Sequence, residues 1–311
     1  MSELSPPAGS PSQSAVEPPP PAPGATSTPT PATRMHLADM TWPNVGALVD
    51  EPASAVLVIP LGSCEQHGPH LPLDTDTRIA VALASALVDR STPTPRPTPT
   101  PRPTPTPRSV AQNRGELRGS AQQNGDWGAG VRWVLGPTIG IGASGEHEAF
   151  PGTLSIGTIA LEAMLVELVR SALPPPGSDR PRPFDGVVIV NGHGGNVEAT
   201  ARAAALLEDE GRAVLVCHPR IPNGDSHAGR TETSLLLHLD PSAVRVDLIE
   251  PGSTARWRDI GNAVISLGLA AVTPNGILGD PTDATAKEGH LVFERLVEQM
   301  ADEIRSWAAT L

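Results

Sequence analysis

The 311-residue chain contains no tyrosine, only three phenylalanines and five tryptophans, and just two cysteines. Without a phenol, no tyrosyl oxygen can act as proton relay or oxyanion donor, so any such work falls to other groups. Two thiols, Cys64 and Cys217, do not make a disulfide framework, and they suit a reducing compartment. No apolar run approaches the roughly 18–20 residues that span a bilayer. The opening Met1-Ser2-Glu3 lacks the basic-then-apolar order of a secretory signal. The chain therefore reads as a soluble cytoplasmic protein with no membrane partner. Positive charge is scarce as well: 22 Lys and Arg stand against 34 Asp and Glu, a net −12. Phosphate contacts need a basic face, so nucleic acid is not an expected partner.

What the chain has in excess is proline, 36 residues, and glycine, 30. Ten prolines fall in residues 1–34 and eight more in 93–107, where Thr-Pro-Thr-Pro-Arg-Pro recurs with a six-residue period. Such segments cannot bury enough apolar surface to offset the entropy of ordering them. The expected organisation is a disordered tail, 1–34, and one domain, 35–311, interrupted by a disordered Pro/Thr/Arg-rich insert, 91–127. Charge divides the same way. The insert carries +3 and the tail −1, which leaves −14 on the remaining 240 residues. A solvated linker explains the basic insert better than a docking element does.

In the body, short β-branched runs alternate with longer Ala- and Leu-rich periodic runs, the pattern of parallel strands joined by crossover helices. Strands are expected at Ala55–Gly62, 131–136, Gly186–Val190 and Ala213–Cys217. Helices are expected at 75–89, 158–172, about 196–210, 230–239 and 287–309, and 240–286 reads as a loop-rich acidic segment. The fold class is α/β, a mainly parallel sheet with helices on both faces.

Polar clusters follow the strand ends, where open α/β sheets bind ligands. After the first strand comes GSCEQHGPHLPLDTD, in which Glu65 and His67 stand two apart and share a direction on extended backbone. Asp74 and Asp76 add carboxylates, and His/carboxylate sets suit Zn, Mn or Fe(II). The third strand ends in NGHGGN, which places His193 between glycines. A phosphate cradle there would want GxGxxG or a P-loop Lys, and both are missing. GEHEAFPGT (residues 145–153) and DSHAGRTETS (225–234) follow the other strands, so five of nine histidines, His67, His70, His147, His193 and His227, lie just past strand ends. His36, His218, His238 and His290 read as surface or core.

EQHGPHLPLDTD, GEHEAFPGT, NGHGGN and HAGRTETS together resemble the creatininase family of metal-dependent amidohydrolases over essentially the whole body. GASGEHEAFPGTLSIG, HAGRTETSLLLHL and NGILGDPTDATAKEG are most similar to the family branch that works in mycofactocin biosynthesis. That resemblance implies a peptidase using metal-activated water. It would release the modified C-terminal Val-Tyr-derived dipeptide from a precursor peptide, beside a radical-SAM maturation system, and would be a homo-oligomer. It also implies two divalent ions per subunit, with Glu65 and His193 on one, His67 on the other and Asp76 bridging. Creatininase itself has a further Glu ligand two residues after the NGH histidine. Gly195 stands there in this chain, and Glu232, five residues beyond His227, is the expected substitute. His227 would pass a proton to the leaving nitrogen, with Glu232 also in the catalytic set and His70, Glu146 and His147 on the substrate side. Two alternatives remain. One is the same chemistry on a small amide such as creatinine or a formamide, which the lack of tryptophan near NGH and HAG disfavours. The other is a non-catalytic metal-binding scaffold with a docking insert.

Overall fold

The computed structural model describes residues 35–50, 52–91, 131–222 and 224–311. The tail 1–34 and the insert from 92 onward lie outside the described residues. Among the described residues, eleven α-helices and β-strands follow in order, besides short 3-10 turns: α1 (Trp42–Gly46), β1 (Ser54–Leu61), α2 (Thr75–Ser91), β2 (Val131–Leu135), α3 (Gly157–Ala172), β3 (Gly186–Asn191), α4 (Val197–Asp209), β4 (Val214–Cys217), α5 (Arg230–Leu239), α6 (Trp257–Leu267) and α7 (Ala286–Ala308). Among the described residues, no helix is long and apolar enough to cross a membrane.

The four strands form one parallel sheet in the order β2-β1-β3-β4. β1 and β3 are buried along nearly their whole length, which is why they read as continuous apolar runs rather than alternating ones. Alternate residues serve opposite faces. Val56, Val58, Val188 and Val190 pack with Leu83 and Leu87 of α2, Leu235 of α5 and Met300 of α7. Leu57, Ile59, Val187 and Ile189 pack with Leu161 and Leu165 of α3 and Ala203 and Leu207 of α4. Helices therefore cover both faces, as the alternating pattern requires.

The segment 240–286 is more structured than its composition implies. It contains α6, where Val264 and Ile260 join Leu269, Leu278, Phe150 and Val272 in a small separate core. Trp257, Ile260, Val264 and Leu267 recur at helical spacing in it, but the run is short and flanked by Pro, Gly, Ser and Thr, and only Gly261 and Val264 of its eleven residues are buried. Short α1 has no assigned counterpart in the sequence pattern either.

The chain leaves β1 for β2 on one flank and β3 for β4 on the other, so a crevice opens beyond the tips of the two central strands. The first turn of α2 is wedged against both tips. A Cβ on Gly62 would sit 2.4 Å from Thr77 Cα, and one on Gly192 would sit 2.6 Å from the Asp76 carbonyl oxygen. No side chain fits at either position without moving backbone. Gly62→Ala is expected to destabilise the protein by about 1–3 kcal/mol or more, the usual cost of overpacking. Urea unfolding checks this, and an unchanged midpoint would show that α2 can retreat freely.

Candidate metal centre

Five segments deliver side chains to the crevice. The loop after β1 supplies Glu65, Gln66 and His67, the first turn of α2 supplies Asp76, and the turn after β3 supplies His193. The 145–147 turn supplies Glu146 and His147, and the β4–α5 region supplies His227 and Glu232. Asp76 lies at the centre. Its Oδ1 is 3.1 Å from His67 Nε2, and its Oδ2 is 3.0 Å from His193 Nδ1 and accepts from Ser63 Oγ at 2.8 Å. Glu65 Oε2 lies 3.1 Å from His193 Nε2. Its Oε1 lies 3.3 Å from His147 Nε2 and 3.8 Å from His227 Nδ1. Glu232 Oε2 is 3.9 Å from His67 Nε2. Three sets bring donor atoms within 4.8 Å of one another: Glu65, Asp76 and His193; His67, Asp76 and Glu232; and Glu65, His67 and His227.

The surrounding loops are held by polar side chains that the motif reading passed over. Asn191 Nδ2 donates to the His193 carbonyl at 2.8 Å, and its Oδ1 accepts from His193 N at 3.3 Å. Asn196 Oδ1 accepts from Ala143 N at 2.8 Å while its Nδ2 donates to Gly62 O at 2.9 Å, which ties three strand-end loops together. Both Asn flank His193 in NGHGGN, and that position was the available signal. Ala228, with φ 51°, is the only non-glycine among the described residues in the left-handed region. The turn it makes aims its N–H at Glu232 Oε2, 2.6 Å away. Such a conformation is costly for a residue with a Cβ and is a feature of constrained sites.

Charge in this cluster is tightly coupled. Burial opposes a proton on His67, but Asp76 outweighs it and holds the imidazole up at about 10. His193 is opposed by burial in the same way and held up at about 9 by Glu65 and Asp76. Burial pushes the Glu65 carboxyl up to about 7 against the pull of His193, and raises Glu232 likewise. Asp76 is kept well below the usual carboxylate range, because His67 and His193 more than offset its burial. Burial, then the charge on His193 and His67, lowers His147 to about 3, and burial with His67 takes His227 well below its ordinary value.

The donor set fits a cation. Glu65 is fully buried, and its oxygens meet imidazoles, His193 Nε2 at 3.1 Å and His147 Nε2 at 3.3 Å. Mixed carboxylate and imidazole donors are what Zn, Mn and Fe(II) accept, and three such sets converge here with donor atoms within 4.8 Å of one another.

Not every expected residue joins the cluster. His70 is fully buried but sits apart, with its Nε2 paired to Thr233 Oγ1 at 2.8 Å. It braces the β1 loop against α5 beside Glu232. Asp74 turns outward to Arg78 Nε at 2.8 Å. At Gly195 a Cβ would lie 2.3 Å from Ala143 O, 2.5 Å from His193 Nε2 and 2.6 Å from Glu146 Oε1. No larger residue fits there, and the Glu146 carboxylate occupies the adjoining space.

Comparisons with known proteins agree with this geometry. A family described as "Creatininase: Creatinine amidohydrolase" matches residues 38–304. The chain is 44% identical over 252 residues to the mycofactocin precursor peptide peptidase of Mycolicibacterium smegmatis, covering 81% of this chain and 85% of that one. It is 25% identical to the creatinine amidohydrolase of Pseudomonas putida, over 86% of this chain and 95% of that one. Among solved structures, a manganese creatininase superposes with a TM-score of 0.58 at 23% identity, covering 88% of this chain and 98% of that one. A creatinine amidohydrolase-like protein from Bacteroides fragilis superposes with a TM-score of 0.60 at 20% identity, covering 88% and 96%. With the strand order, the crevice and the sequence matches all in agreement, the chain belongs to the creatininase family.

Proposed function

We propose that this protein is a metal-dependent peptidase of mycofactocin biosynthesis. It would cleave the modified C-terminal Val-Tyr-derived dipeptide from its precursor peptide. The observation that carries the metal-dependent part is the convergence of carboxylate and imidazole donor atoms in two sets that share Asp76, each set within 4.8 Å. The peptide substrate rests on the relatives that are more than 40% identical. Glu65, Asp76 and His193 would hold one ion and His67, Asp76 and Glu232 the other, with Asp76 shared. Glu232 supplies the carboxylate that Gly195 cannot. Zn, Mn and Fe(II) all suit this donor set. We place the protein in the cytoplasm as a homo-oligomer, beside a radical-SAM maturation system, with 35–311 as one metallohydrolase domain that carries the 91–127 insert.

When bound, the ions supply Lewis acidity toward the scissile carbonyl and a water ionised near neutral pH. The chain's own residues handle the protons. His227, neutral and buried, takes the proton released as the water oxygen bonds to the carbonyl carbon. It delivers that proton to nitrogen as the C–N bond breaks, so an acid and an amine leave and the imidazole returns to neutrality. Glu146 and His147, on the rim of the same crevice, would meet the substrate carbonyl side. Small-amide hydrolysis is the weaker reading. Of the described tryptophans, Trp133 lies in the sheet core, Trp307 packs at the start of β3, Trp42 is 86% exposed and Trp257 opens α6, so none lies within the NGH or HAG segments.

Incubation with modified precursor peptide and with creatinine separates the two: dipeptide release is expected, and creatine formation without peptide cleavage would overturn the peptidase reading. His67→Ala and His193→Ala should each lose metal in elemental analysis and all measurable turnover; full occupancy in both would refute the ligand assignment. His227→Ala should retain metal but lose about 10²–10⁴-fold in kcat, the range of general acid–base catalysis.

Metal uptake should also depend on pH. His67 and His193 titrate at about 10 and 9 in the metal-free protein, so both carry protons at neutral pH that an ion must displace. Apparent affinity then rises with pH, by up to about tenfold per unit for each proton released, and levels off above about 10. For the chelated protein the sign reverses. Stability drawn from these raised imidazoles is complete below their ordinary 6.5 and drains away as pH rises through 9 and 10. Calorimetric titration in buffers of different protonation enthalpy, with melting curves from pH 6 to 10, checks both; pH-independent uptake would contradict the charge assignment.

A further inference from the structure

Gln66 is buried between Glu65 and His67, and its side-chain contacts leave no freedom in how it is oriented. Its Oε1 accepts from Gly68 N at 2.8 Å, a group that only donates. Its Nε2 donates to Gly276 O at 3.1 Å, a group that only accepts. The amide is thereby oriented from both ends, which removes the usual ambiguity between its oxygen and nitrogen. One Nε2 hydrogen remains. Two imidazole nitrogens lie within its reach, His147 Nδ1 at 3.0 Å and His227 Nε2 at 3.1 Å.

The main chain decides between them. His227 Nε2 is also 2.8 Å from the carbonyl oxygen of Gln66, which can only accept, so His227 carries its hydrogen on Nε2. The last amide hydrogen then goes to His147 Nδ1, which must be bare. A neutral imidazole has one N–H and one lone pair. His147 therefore presents an Nε2–H to the crevice, and His227 presents an Nδ1 lone pair. Both atoms face Glu65 Oε1, at 3.3 and 3.8 Å, and the ring centroids are 4.5 Å apart.

We propose that Gln66 is a positioning residue that sets complementary tautomers on His147 and His227, so that a hydrogen-bond donor and a proton acceptor face one point of the crevice. The inference rests on the hydrolase reading above and refines it. His147 cannot ligate an ion through a protonated Nε2; it donates a hydrogen bond to the carbonyl oxygen as negative charge builds there. His227 accepts the proton of the attacking water and returns it to the leaving nitrogen. The cradle around Gln66 is close-fitting: Gly276 has φ 75°, and a Cβ there would sit 2.0 Å from Gln66 Oε1.

Histidine-ring 15N NMR on the zinc-loaded and the metal-free protein reads the tautomers directly. The expected result is a protonated Nε2 on both His147 and His227. Gln66→Glu replaces the donor by an acceptor, so His147 should move its hydrogen to Nδ1. In the same variant kcat should fall about 10²-fold or more, the scale of losing one such donor, while KM stays within about three-fold. Gly276→Ala, which leaves every site side chain in place but displaces the amide, should shift the same resonances and lower kcat less. A His147 protonated on Nδ1 in the unaltered protein would overturn the proposal, as would a Gln66→Glu variant with kcat within about three-fold of the parent. The tautomers are read without turnover, so the two readings fail separately. Expected tautomers with no peptide cleavage would refute the peptidase reading, whereas peptide cleavage with other tautomers refutes only the role of Gln66.

Discussion

A carboxylate buried among imidazoles sets the terms for everything around it. Glu65 is sealed at the end of β1, with His193 Nε2 3.1 Å from one oxygen and His147 Nε2 3.3 Å from the other. Isolated charge cannot persist in an apolar interior, so the surroundings must neutralise it or compensate it. Burial raises the Glu65 carboxyl to about 7, and Asp76 and Glu65 hold protons on His67 and His193. Divalent cations bound here would take the place of those protons, which would tie metal content to pH. The crevice is in effect a high-charge cavity built to hold cations or protons.

Holding that charge in place is the task of the parallel sheet. The connections diverge between β1 and β3, and the two strand tips leave an opening that α2 enters with its first turn. Asp76 reaches both imidazoles only because Gly62 and Gly192 let that turn touch the strand ends. Asn191 and Asn196 then fasten the loops to each other, and His70 braces the β1 loop against α5. These polar groups are buried and paired, which ties the strand-end loops to one another around Glu65 and Asp76.

Much of this was legible in the amino-acid order. Short continuous apolar runs rich in β-branched residues and bounded by turn residues, such as AVLVIPL and GVVIV, read as strands buried on both faces, and β1, β3 and β4 lie within a residue of their expected limits. The histidines past the strand ends marked the site edge, because a polar cluster after a buried strand has to emerge at the sheet's carboxyl end. Helix α6 was passed over although Trp257, Ile260, Val264 and Leu267 recur at helical spacing, because the run is short and lies in a segment dominated by Pro, Gly, Ser and Thr. Nor were Gln66, Asn191 and Asn196, whose importance lies in contacts with segments as many as 210 residues away in sequence.

By itself the sequence determined the fold class, the position of the crevice and the identity of the charged residues in it, because periodicity and local motifs follow from each residue and its near neighbours. Only the tertiary structure decided how those residues divide. It placed Glu232 beside His67, turned His70 and Asp74 away, filled the space over Gly195 with Glu146, and brought Gln66 within hydrogen-bonding distance of His147 and His227. Those outcomes depend on distances and donor counts between segments remote in sequence, and such distances exist only once the chain has folded.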